Sequence, residues 1–83
     1  MPIETGRVVR SLSGHDEGRF LIALEERDGF VLLADGKRRP LSAPKHKNHR
    51  HIRKTNTVLE QQCFATDKKL REALRAFREN EGD

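Results

Sequence analysis

The chain has almost none of the residues that staple or anchor small proteins. It contains one cysteine, Cys63, and no tryptophan or tyrosine. No intramolecular disulfide can form, and a lone thiol fits a reducing compartment, where it usually packs as a small hydrophobe. The longest apolar run, "FLIAL" at residues 20–24, is far too short to cross a bilayer. The opening "MPIETGRVV" lacks the basic stretch and apolar run of a secretory signal. A cytoplasmic protein without a membrane partner is expected. With 83 residues and 34% apolar side chains, there is room for one domain with a thin core, and an unstapled domain of that size needs a compact, efficiently closed architecture.

Catalytic patterns are missing as well. There is no G-x-x-x-x-G-K-[ST], H-E-x-x-H, G-x-S-x-G or C-x-x-C. No enzyme activity, cofactor or small-molecule substrate is expected. His46, His49 and His51 with Cys63 would supply four ligands for tetrahedral zinc on paper. Their spacing matches no compact zinc module, and the surrounding lysines and arginines would repel a cation, so no metal is expected.

What the chain does have is segregated positive charge. Seventeen Lys and Arg stand against thirteen Asp and Glu, a net charge of +4. From Gly36 to Asn56 there are eight Lys or Arg and no carboxylate, and "PKHKNHRHIRK" at 44–54 adds three histidines to five of those cations. A patch of this kind concentrates field where phosphates would sit. The bland reading is a solvated loop.

Local patterning predicts mainly β structure. "GRVVRSL" from Gly6 reads as a first strand, "SGHDEGR" with Gly14 and Gly18 as a turn cluster, and "RFLIALEER" as a second strand whose continuous apolar middle implies burial on both faces. Asp28-Gly29 before "FVLLA" is a hairpin signal, because both central positions of a type I′ turn need positive φ. A second Asp-Gly, Asp35-Gly36, predicts another turn and a strand over "KRRPL", which Pro40 would confine to an edge. "LSAPKHKN" then reads as a loop and "HRHIRKT" as a final strand with Ile52 inward. Five short strands before residue 56 suit a small bent barrel of SH3-like type, an OB-type barrel being the alternative.

After that barrel (1–56), residues 57–83 form a connection and a helix. In "TDKKLREALRAFREN", Leu70, Ala73, Leu74 and Phe77 make one helical stripe, with Thr66 or Asp67 as N-cap. The stripe is expected to pack on the barrel. Three i, i+4 pairs of opposite charge, Asp67 with Arg71, Lys68 with Glu72 and Arg75 with Glu79, read as ordinary surface solvation. Residues 56–65 leave their structure open.

Binding to a polyanion is the favoured reading of the basic stretch. The four phenylalanines, Phe20, Phe30, Phe64 and Phe77, fall at positions the core needs, so no exposed platform for stacking bases is expected. Recognition would rest on phosphate and hydroxyl contacts from Arg, Lys, Asn and His. Composition does not choose between RNA and DNA.

"GRVVRSLSGHDEGRFLIAL" resembles a KOW motif, a β-hairpin element with a glycine in its connecting loop, here Gly18, followed by Arg19 and an apolar strand. The downstream "VLLADGKRRPLSAPKHKNHRHIRKT" resembles the corresponding part of KOW-bearing archaeal and eukaryotic large-subunit ribosomal proteins and of small bacterial KOW-domain RNA-binding proteins. The similarity covers residues 5–56. It implies a KOW-type SH3-like barrel and a non-catalytic role on structured RNA, most simply ribosomal RNA, as a ribosomal or ribosome-associated protein of translation. Gly14 and Gly18 would shape the loop. Arg19, Lys37, Arg38, Arg39, Lys45, Lys47, Asn48, His49, Arg50, His51, Arg53 and Lys54 would lie at the RNA surface. The alternative is a protein-interaction module of a transcription or translation complex, centred on an apolar groove or on the helix stripe Leu70, Leu74 and Phe77.

Overall fold

The structure, a computed structural model, describes residues 3–81. Five antiparallel strands form one sheet: β1 (Arg7–Ser11), β2 (Phe20–Arg27), β3 (Phe30–Ala34), β4 (Lys45–Asn48) and β5 (Ile52–Val58), in the order β4-β3-β2-β1-β5. The helix α1 (Asp67–Glu81) follows. Among the described residues, no helix is long and apolar enough to cross a membrane.

Chain connectivity forces the sheet to curl. β4 and β5 are its outermost strands, and in a flat sheet they would stand about 19 Å apart, four spacings of about 4.8 Å. The stretch from Asn48 to Ile52 could reach only about 14 Å even fully extended. Residues His49–His51 are instead wound into a 3-10 turn, which is shorter still. The two edges therefore approach each other and the sheet becomes barrel-like. Breaks in register between Ala23 and Glu25 and between Arg7 and Val9 supply part of the bend.

Alternation along the strands separates two cores. Val9, Leu21, Ala23, Val31 and Leu33 point inward with Ile3, and Ile52 packs against them. Val8, Ile22 and Ala34 point outward and meet Leu70, Leu74 and Phe77 of α1. β2 is thus buried on both faces, as its unbroken apolar run requires. The Phe20 and Phe77 rings meet edge to face with centroids 5.1 Å apart. Burying each large side chain of the helix stripe contributes about 1.5–3 kcal/mol.

Several expected elements form as read. Asp28 and Gly29 both take positive φ (52° and 81°) and close the β2–β3 hairpin. The Thr66 hydroxyl accepts the Lys69 N–H at 3.1 Å, which makes Thr66 the N-cap. Asp67 has another use: its carboxylate accepts the Leu41 N–H at 2.8 Å and ties the preceding loop to the helix.

Other expectations are corrected. No strand forms over 37–41. Asp35 Oδ1 accepts the N–H groups of Lys37 and Arg39, both at 2.9 Å, and the Asp35 and Gly36 N–H groups donate back to Arg39 O. This tight bend consumes the donors that a strand would offer, the usual way Asp competes with regular structure. The strand forms instead at Lys45–Asn48, within the expected loop. Likewise Asn48 Oδ1 accepts the Arg50 N–H at 2.9 Å and winds 49–51 into its 3-10 turn. The last strand consequently starts at Ile52 and runs to Val58, with a further 3-10 turn at Gln61–Phe64 leading to α1.

Candidate nucleic-acid interface

The loop between β1 and β2 is held by cations from the middle of the chain, some 23 to 34 residues later. Its 3-10 turn, Gly14–Asp16, begins at Gly14 and is followed by Gly18, both glycines at positive φ (80° and 82°). Asp16 is 2% exposed. Its Oδ2 lies 3.4 Å from the Arg39 guanidinium and 3.6 Å from the Lys45 ammonium. Lys47, 7% exposed, donates from Nζ to Ser13 O at 2.7 Å. Burial lowers the Lys47 pKa below the ordinary lysine value; neighbouring Lys45 adds to this and Asp16 opposes it. Three of the twelve residues expected at the RNA surface, Arg39, Lys45 and Lys47, therefore direct their charge at the loop itself. They hold "SGHDEGR" in place.

The remaining members divide by position. Lys37 and Arg38 are exposed on the bend after Asp35, and Arg19 is half-buried at the start of β2. Asn48 is occupied as the cap of the following turn. His49 Nδ1 lies 3.0 Å from Gly29 O, so the tautomer with a proton on Nδ1 donates to the hairpin turn. Arg50, His51, Arg53 and Lys54 are exposed without a carboxylate partner among the described residues.

A cation that was absent from the expected set joins them. Arg10 of β1 pairs with Arg53 of β5 and, on its other side, with Phe20 of β2. A Cβ placed on Gly18 would sit 3.9 Å from Arg10 Nη2, which puts the Arg10 guanidinium beside the loop. Two like charges directly opposite each other destabilise a sheet, and an anion between them would reverse that effect. Strand pattern alone marks Arg10 as lying on one face of β1. Its neighbour across the sheet depends on the β1–β5 register, which no local signal reveals.

Phe30 also departs from expectation. It is 47% exposed, not a core residue. With Leu32, His46, Arg27 and Asp28 it lines an open cleft of about 480 Å³ on the outer face of the sheet, beyond the reach of α1. One aromatic face is thus offered to solvent near the basic strand.

Among the described residues, no three histidine, cysteine or carboxylate side chains gather closely enough to hold a metal ion. Cys63 is half-buried in the turn before α1. No protein-family model matches the chain, and neither does any curated protein.

Proposed function

We propose that the protein is a non-catalytic, cytoplasmic RNA-binding module, ribosomal or ribosome-associated, that contacts structured RNA through the surface formed by β1, β5 and the 13–19 loop. The reading rests chiefly on one observation: Arg10 and Arg53 face each other with like charge beside the loop, while Arg50, His51 and Lys54 are exposed on either side of Arg53 in the chain, in a stretch with no acid between Gly36 and Asn56. Held as one surface, these side chains form a site for phosphates. The KOW-like residues of the β1 loop favour RNA over DNA. Arg39, Lys45 and Lys47 act indirectly by fixing the loop, and exposed Phe30 provides a face on which one base can stack.

The protein-interaction alternative would draw on the apolar stripe of α1. Leu70, Leu74 and Phe77 are engaged by the sheet, so that reading would draw instead on the open cleft at Phe30 and Leu32. Ultraviolet crosslinking in lysate followed by peptide identification tests the proposal. RNA adducts should map to peptides covering 10–19 and 46–54. Recovery of the protein free of RNA adducts, or adducts scattered without preference for these segments, would count against it.

A further inference from the structure

A second cationic surface lies on the opposite flank of Phe20, where the sequence pattern suggests only solvated charge. A cleft of about 590 Å³ runs between α1, the start of β2 and the bend after Asp35, and its floor is apolar, made by Phe20 and Leu74. Six cations line it: Arg19, Lys37, Lys68, Arg71, Arg75 and Arg78. Only two carboxylates, Asp35 and Glu72, share the wall. Asp35 is already occupied, since its Oδ1 accepts two backbone N–H groups of the bend.

The helix cations are arranged in a row. Lys68, Arg71, Arg75 and Arg78 recur at intervals of three and four residues, one side of α1 next to the buried stripe. At about 1.5 Å rise per residue the row extends about 15 Å, room for several phosphates of one strand and more than a single phosphate needs. The three i, i+4 pairs of opposite charge read as surface solvation do not close as ion pairs among the described residues. Arg71 instead donates from Nη1 to Gly36 O at 2.7 Å, which fixes the cleft wall and leaves Lys68, Arg75 and Arg78 exposed. Phe20 connects the two regions, because it forms the floor here and is the β2 partner of Arg10.

We infer that this cleft is a second binding site for a chain of phosphates, contiguous with the β1–β5 surface. It rests on the proposed function for its source of phosphates, the backbone of the same RNA. A free polyphosphate is the other source with that chemistry.

The test uses amide chemical-shift mapping and salt titration of the full chain with a short RNA hairpin and, separately, with inorganic tripolyphosphate. The variants are K68Q/R75Q/R78Q for the cleft and R50Q/R53Q/K54Q for the other surface, all at exposed positions. Hairpin RNA should shift the amides of 35–37 and 67–78 as well as those of the loop. The cleft variant should lower the slope of log K against log salt by about 2 to 3 and weaken binding more than tenfold at moderate salt. If RNA binds and responds to R50Q/R53Q/K54Q but not to the cleft variant, the cleft inference fails while RNA binding stands. If RNA does not bind but tripolyphosphate shifts the cleft amides and the cleft variant abolishes that shift, the phosphate site stands and the RNA reading fails. Cleft amides unmoved by either ligand would overturn the inference.

Discussion

Arg10 and Arg53 stand directly opposite each other across the β1–β5 ladder, and neither pairs with a carboxylate among the described residues. Such an arrangement costs the folded protein stability while it creates a place for an anion. R53Q should therefore raise stability by about 0.2–1 kcal/mol in urea unfolding at low salt. The gain should fade at high salt, where exposed charges are screened. A gain independent of salt would show that repulsion is not its origin.

The loop of residues 13–19 depends on Asp16. D16N removes the only carboxylate facing Arg39 and Lys45 among the described residues. The expected loss is roughly 2–3 kcal/mol, less than the 3–5 of a fully buried pair, because the Arg39 and Lys45 side chains keep 31% and 28% of their exposure. Hydrogen exchange should also quicken at Gly18 and Arg19, whose N–H groups donate to Ser11 O and Asp16 O. Unchanged stability would show that the Asp16 carboxylate does not hold the loop.

Lys47 gives the stability curve a defined slope with pH. Its folded pKa lies below the ordinary 10.5, chiefly through burial. Between the folded value and 10.5 the unfolded chain binds more protons than the folded one, so this group makes stability rise with pH. Below that window the charged ammonium carries its full burial penalty. The stability of the wild type relative to K47M should therefore improve as pH climbs toward 10.5. A flat or falling difference would contradict the assignment.

Gly36 lets the bend after Asp35 touch the helix. A Cβ there would lie 2.5 Å from Asp67 O, and its φ of +79° is left-handed. G36A should cost more than the roughly 1–2 kcal/mol of the backbone conformation alone, since Asp67 and Arg71 must also retreat. Thermal unfolding checks this, and an unaltered midpoint would show that the helix and bend do not pack as described.

Much of this architecture is legible in the chain because its signals are local. The β2–β3 hairpin follows from Asp28-Gly29 between apolar runs, and the helix from the spacing of Leu70, Leu74 and Phe77 capped by Thr66. The strand order after Ala34 is not legible, because two side chains, Asp35 and Asn48, capture backbone donors and shift β4 and β5 along the sequence. The same limit applies to the charges. Whether Lys45 and Lys47 face outward depends on Asp16 and Ser13, about thirty residues earlier, and the pairing of Arg10 with Arg53 depends on a register set across the whole barrel. Local pattern locates the basic stretch but not the direction in which each cation points.

If the exposed cations of β1, β5 and the 49–51 turn neutralise RNA phosphates, a salt titration of structured RNA binding should register each of them. R10Q/R50Q/R53Q/K54Q changes four exposed side chains. It should lower the slope of log K against log salt by about 3 to 3.5, about 0.7–0.9 for each of the cations removed. A slope equal to that of the wild type would mean that these cations do not meet the RNA backbone.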